Sequence, residues 1–280
     1  MTRSWSVPIL LVVVVVLAGC LGGGAPDAPA GGSSGSGDGG SGSSDGGGGD
    51  GGAGDGESDG AEDLAVVDSE RLLREAGSFT SSWSFSMVDA EGTESTVTNT
   101  FAVDLDANRT SETLAFAGDQ EGTSYDRFTA AGTSYTRYGD GEQTFYQMMP
   151  VQDDPVGSAL ARGAAVTYDD FEDARFVGTE TFDGVPVDRY EYTDPLLWRQ
   201  YGAGTFGTEE NVTVTEFTVV VLVDGDGLAR STGWTLVGET DAGETVTAEW
   251  RFGVTDVGST TVADPDWLEE ARAQGANPAG

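Results

Sequence analysis

The 280-residue chain has no histidine and no lysine, and its one cysteine is Cys20. Each absence removes a class of chemistry. Without histidine, neither a serine–histidine–aspartate nor a cysteine–histidine nucleophile can be assembled. Without lysine there is no Schiff base and no serine–lysine pair. A lone thiol allows no disulfide within the chain, and histidine-rich or thiolate zinc sites are excluded with it. Glycine is plentiful, at 43 residues, yet no loop ends in the Gly-Lys-Ser/Thr that cradles phosphates. The expectation is a protein that is not an enzyme and carries no cofactor and no metal.

Positive charge is also scarce. Thirteen arginines stand against 48 acidic residues, a net charge of −35. Such a surface repels phosphate backbones, so nucleic acid is not an expected partner. It also weakens docking to an anionic membrane surface. Acidic, lysine-free surfaces suit molar salt, where the Debye length falls to about 3 Å and self-repulsion is screened. A halophilic protein is expected.

The stretch "MTRSWSVPILLVVVVVLAGC" opens with one charge, Arg3, followed by an apolar run from Val7 to Ala18. A bilayer span needs about 20 such residues, so the run fits the h-region of an export signal better. Its end, Leu17-Ala18-Gly19-Cys20, resembles the lipobox of prokaryotic lipoproteins, in which the cysteine becomes the lipidated amino terminus. That resemblance implies a signal peptide over residues 1–20, lipid attachment at Cys20, and a protein exported and anchored to the outer face of the cytoplasmic membrane. No twin-arginine pair is present, which points to export in the unfolded state. The competing reading is an uncleaved anchor helix with an incidental thiol, and it too leaves the rest of the chain outside. Residues 21–60 are glycine, serine, alanine and aspartate with almost nothing apolar. They read as a disordered tether with a reach of roughly 35 Å. What remains, 61–280, is one domain large enough to bury a core.

The domain starts with helical spacing over Ala61–Ala76, where Leu64, Val67 and Leu72 share a face and Gly77 is a plausible stop. From Phe79 the period becomes two. Trp83, Phe85 and Met87 form one row; Val97, Asn99, Phe101, Val103 and Leu105 form another. Asp183-Gly184 and the stretch Asp224–Gly227 are hairpin turns. Three Asp-Pro pairs, at 154–155, 194–195 and 264–265, read as helix starts with aspartate capping and proline in the first turn. A phrase Gly-Thr-Ser-Tyr-x-Arg-aromatic occurs from Gly122 and again from Gly132. It reads as one hairpin with a three-residue loop Ala130-Ala131-Gly132. Arg127 then stands opposite Tyr135, and Tyr125 opposite Arg137, in two cation–π contacts. The fold class expected is α+β: a large, mainly antiparallel half-barrel sheet with a few short helices on its concave face.

This order resembles lipoproteins similar to the LolA and LppX-type carriers. "GTETFDGVPVDRYEYT" (Gly178–Thr193) matches a Gly-x-Glu-x-x-x-Gly…Tyr-x-Tyr stretch of theirs. "VVVLVDGDGLARSTGWTLVGE" matches their hairpin of valine-rich strand, Asp/Gly turn and arginine-bearing strand. Lipoproteins of haloarchaea share the layout and end in a phrase like "VGSTTVADPDWLEEA". The resemblance implies an open half-barrel whose helices plug the concave face, a space that holds acyl chains in the studied relatives.

Two acidic features remain. Asp224-Gly225-Asp226-Gly227 hints at calcium, but Thr235 stands where a calcium loop needs its twelfth-position glutamate. With 48 acidic residues, paired carboxylates arise by chance and do not argue for a glycosidase. Apolar clusters in the insertions are the candidate ligand contacts: Met148 and Met149, Leu160 on the first inserted helix, and Trp198, Tyr201 and Phe206 in the second. Core packing of helix on sheet is the plainer use of the same residues. Asn108 and Asn211 head glycosylation triplets. Two functions fit: a membrane-tethered carrier of a lipid or other apolar ligand, or an envelope interaction protein with a filled core and a protein partner.

Overall fold

The computed structural model describes residues 68–118, 122–139, 141–152, 154–163, 174–193 and 212–276. The chain divides at Gly60–Ala61, and all of these lie in the unit that begins at Ala61. The stretches read as signal segment (with Cys20) and as tether, Leu64 and Val67, the insertion bearing Trp198, Tyr201 and Phe206, and Asn211 fall outside the described residues.

A first helix, α1 (Ser69–Ala76), begins where the Asp68 carboxylate accepts the Arg71 N–H at 3.1 Å and ends at a left-handed Gly77. Strands β1 (Ser78–Val88), β2 (Glu94–Asp104), β3 (Arg109–Gly118), β4 (Tyr125–Ala130), β5 (Thr133–Tyr138) and β6 (Phe145–Pro150) follow. After them come α2 (Pro155–Gly163), β7 (Arg175–Phe182), β8 (Val185–Thr193), β9 (Val212–Asp224), β10 (Ala229–Thr240), β11 (Thr245–Thr255) and α3 (Leu268–Ala276). The strands form one open antiparallel sheet of eleven, in the order β6-β5-β4-β3-β2-β1-β11-β10-β9-β8-β7. Two meanders thus meet where β1 pairs with β11, and β1 becomes the central strand. The α+β half-barrel class expected from the sequence is the one observed.

Period-two alternation decides what each face carries. One face, the core face, gathers Phe79, Phe101, Val103, Phe217, Val219, Val221, Trp234, Trp250 and Phe252 into one buried cluster. Both α1, through Leu73, and α2, through Val156 and Ala159, pack into it. Asp154 caps α2, accepting the N–H groups of Val156 and Gly157, as its Asp-Pro signature predicts. The opposite face has its own small cluster of Phe128, Val262 and Leu268, which seats α3. The helices are therefore divided between the two faces. Here the third Asp-Pro pair departs from expectation, since α3 starts at Leu268, not at Pro265. Asp264 spends its carboxylate on Arg109 at 2.9 Å, and Trp267 stacks on Tyr146 before the helix begins.

The doubled phrase is one hairpin, but not the one expected. Ala131 (φ 50°) and Gly132 (φ 73°) are both left-handed, which makes a two-residue turn. Tyr125 then pairs with Tyr138, Asp126 with Arg137, and Arg127 with Thr136. A one-residue change of register exchanges faces, so the reciprocal tyrosine–arginine ladder does not form. Arg137 instead pairs with Asp126 and lies over Trp267, while Arg127 turns to the core face. An alanine in the left-handed region carries no sequence signal, which is why the loop looked one residue longer.

Candidate ligand-binding site

Direct pairing runs in a single row across the whole core face. It reads Phe145–Tyr138–Tyr125–Leu114–Asn99–Trp83–Phe252–Thr232–Val221–Tyr190–Phe176. A parallel row holds Phe116, Val97, Phe85, Trp250, Trp234, Val219 and Tyr192. The aromatic side chains give these rows area and shape. Phe85 meets Trp234 edge-on at 6.2 Å, and Phe217 lies against Trp234 at 5.8 Å.

Burial along β1 is uneven. Phe79 and Ser81 are sealed, whereas Trp83, Phe85 and Met87 are only half-buried although packed against the core cluster. A central strand of an eleven-strand sheet is the place where large apolar side chains are most easily covered. These three keep accessible surface on the core face.

Beside them the face turns polar. Glu112, 4% exposed, is the second residue of a tight cluster that begins at Asn99. The Asn99 amide donates to Glu112 Oε1 at 3.0 Å. Arg162, on the last turn of α2, donates to the same oxygen through Nε (3.1 Å) and Nη2 (3.0 Å) and lies over the Phe101 ring at 4.1 Å. Arg127 takes the other oxygen, Oε2, at 3.0 Å, donates Nε to Thr136, and lies over Tyr125 at 5.0 Å. Helix geometry explains the reach of Arg162: it sits one turn beyond Ala159, whose full burial fixes that side of α2 against β1 and β2. Burial, and then the negative charge of Glu112, pushes the Tyr125 hydroxyl up to about 12. The Asn99 carbonyl oxygen is buried and has no hydrogen-bond partner among the described residues.

The candidate residues named from sequence scatter. Leu160 is half-buried on α2 and packs against the core cluster. Met148 and Met149 lie on the edge strand β6. Neighbours along a strand point to opposite faces, so Met149, opposite Ser134, is on the core face and Met148, opposite Tyr135, is on the α3 side. The two cannot line one pocket. Asn108 is exposed in the turn between β2 and β3, in a left-handed conformation. The Asp224 turn holds no calcium-type ligand set. Its carboxylate accepts the N–H groups of Asp226 and Leu228 and the Arg230 guanidinium, and among the described residues no group of acidic side chains is arranged to hold a metal. The Asn99–Glu112–Arg127–Arg162 cluster was not foreseen; its one signal was an asparagine in the middle of an apolar alternating row.

Residues 6–271 match the family DUF7537, described as a family of unknown function. The chain belongs to that family. No curated protein matches this DUF7537 chain. Solved structures similar to it include LprF from Mycobacterium bovis (10% identity, 71% of this chain and 96% of that one, TM-score 0.33). They also include the LolA superfamily protein NE2245 from Nitrosomonas europaea (10% identity, 72% and 97%, TM-score 0.19). MucB, solved in complex with MucA(peri), is similar at 14% identity with a TM-score of 0.25; 71% of the DUF7537 chain is covered, but only 56% of that chain. Likenesses this weak bear on fold at most, not on ligand.

Proposed function

We propose that the chain is a non-enzymatic, membrane-tethered binding protein that holds a lipid or other hydrophobic ligand against the core face of its sheet, with Cys20 carrying the membrane anchor. The observation that supports it is the half-buried row of Trp83, Phe85 and Met87 on the central strand. Covering apolar surface is worth about 25 cal/mol per Å² before entropic costs. A ligand laid along β1 would gain this from three large side chains that the protein leaves partly uncovered. The lipobox supports the tether, and the acidic surface supports an exterior of high salt. Native mass spectrometry of the full chain purified from its own host, with organic extraction, tests the reading. A copurifying apolar molecule is expected; repeated preparations without one would count against it.

A second reading, an interaction protein of the cell envelope, rests on a separate observation. All five large apolar side chains that are exposed among the described residues, Phe145, Met148, Met149, Phe176 and Val177, lie on the two edge strands, β6 and β7. Edge strands carry unpaired backbone groups and accept partner strands. Protein captured through those edges, with no extractable ligand, would favour this reading over the first.

A further inference from the structure

Two of only thirteen arginines in a chain of net charge −35 converge on the core face, against one carboxylate. Among the described residues, Glu112 is the one acid paired with either. The cluster is therefore locally cationic in a molecule that is strongly anionic elsewhere. Each carboxylate oxygen has its own arginine, Arg162 with two N–H groups on Oε1 and Arg127 with one on Oε2, so two positive charges face a single negative one. The vertical order is also informative: the Glu112 side chain is 4% exposed, whereas Arg162 and Arg127 are 22% and 35% exposed. The carboxylate lies beneath and the guanidinium groups lie above it, toward the accessible side. Arg127 spends Nε on Thr136 and Nη1 on Glu112. Its Nη2, which carries two of the five guanidinium N–H groups, has no acceptor among the described residues.

The second observation is the orphan acceptor. Asn99 is 3% exposed, and its carbonyl oxygen has no donor among the described residues. Leaving such an atom unpaired costs its desolvation with no bond in return. It lies in the row that pairs Asn99 directly with Trp83, and Phe85 is one row over. Unspent donors, an unmet acceptor and a half-buried apolar strip thus adjoin on one face.

We infer that the core face takes an anionic amphiphile. A phosphate or sulfate ester would sit on Arg127 and Arg162, a neighbouring ligand hydroxyl would donate to the Asn99 carbonyl oxygen, and the apolar tail would run along β1 over Trp83, Phe85 and Met87. Glu112 orients both guanidinium groups and at the same time competes for them with the ligand. The inference rests on the binding function proposed above and adds to it the chemistry of the headgroup. Because the pair is partly buried, the preference survives in molar salt, which screens exposed charges to about 3 Å.

The test uses the full-length chain in molar KCl, titrated calorimetrically below micelle concentration with dodecyl phosphate, with dodecane-1,2-diol, and with inorganic phosphate. Dodecyl phosphate should bind roughly tenfold more tightly than the diol, the scale of one charge-assisted contact. That ratio should fall toward unity in Arg162→Gln, fall partway in Arg162→Lys, which keeps the charge and loses the fork, and rise in Glu112→Gln, which removes the competing carboxylate. Circular dichroism checks that each variant folds; if Arg162→Gln does not, Glu112→Gln and Arg162→Lys decide. Equal binding of both amphiphiles by the wild type, unchanged in Glu112→Gln, would overturn the headgroup assignment while leaving the carrier function standing. Binding of neither amphiphile would remove both. Inorganic phosphate binding as tightly as dodecyl phosphate would assign the arginines to a free anion and overturn the amphiphile.

Discussion

Asp224→Ala is the substitution whose consequence the structure specifies most fully. Asp224 closes the β9–β10 hairpin. One carboxylate oxygen accepts the N–H groups of Asp226 and Leu228, each at 3.0 Å, and the other accepts Arg230 Nε at 2.6 Å. The Arg230 and Asp224 side chains are only 10% and 4% exposed. Alanine removes both turn contacts and strands a guanidinium in the interior. Breaking a buried pair from one side costs about 3–5 kcal/mol, because the remaining charge is uncompensated. In a domain of this size each kcal/mol moves the melting temperature by about 2–4 °C, so a fall of roughly 6–20 °C is expected. Urea denaturation followed by tryptophan fluorescence in molar KCl gives the free energy directly. The double variant Asp224→Ala/Arg230→Met removes the stranded charge and should recover a large part of the loss. A single variant within about 1 kcal/mol of wild type, or a double variant no better than the single, would refute the reasoning.

Cys20→Ser should abolish lipid modification and release the chain from the membrane fraction; a variant that remains modified and membrane-bound would refute the lipobox reading. Gly118→Ala places a Cβ 2.0 Å from the Glu94 carbonyl oxygen at a φ of +76°, whereas Gly92→Ala, at +80°, meets open space. The second should cost about 1 kcal/mol for the left-handed backbone alone, and the first clearly more, measured as the difference between their urea midpoints. Asp154→Ala removes the cap of α2 and should cost about 1 kcal/mol near neutral pH. Its hydrogen bond from Arg74, and then those from the α2 N–H groups, hold the Asp154 carboxyl below its ordinary value. A carboxyl lowered by folding contributes stability above its unfolded pKa and loses it as pH falls through the folded one. The gap between wild type and variant should therefore close below the usual carboxylate range; a gap that widens in acid would contradict the assignment.

Strand-level features were legible because they depend on local rules. Period-two rows placed Trp83, Phe85 and Met87 together, and Val97, Asn99, Phe101 and Val103 together, as the β1–β2 register shows. Asp183-Gly184 and the Asp224 turn were legible for the same reason, since turn chemistry is local. Register between strands was not, where it hinged on one backbone angle. Ala131 adopts φ 50° without a residue type that advertises it, and that single choice set Arg127 opposite Thr136 and Arg137 opposite Asp126, where a longer loop would have set tyrosines against both. The candidate site was less legible still. Its members, Asn99, Glu112, Arg127 and Arg162, come from three strands and a helix, and no spacing in sequence joins them.

That dispersal bears on what the face can do. An apolar row built by alternation on one strand serves equally for a closed core or for a ligand, and the sequence cannot separate the two. What separates them is a cost. A core sealed for stability alone has no reason to keep a buried asparagine oxygen unpaired beside Trp83, since an apolar residue of similar shape would avoid that penalty. Two arginine charges also stand over one buried carboxylate, so one positive charge is left over where burial makes it costly. Both costs fall in one place, next to the only large side chains on the central strand that are left half-covered. Local conflicts of this kind are expected at functional or strained sites.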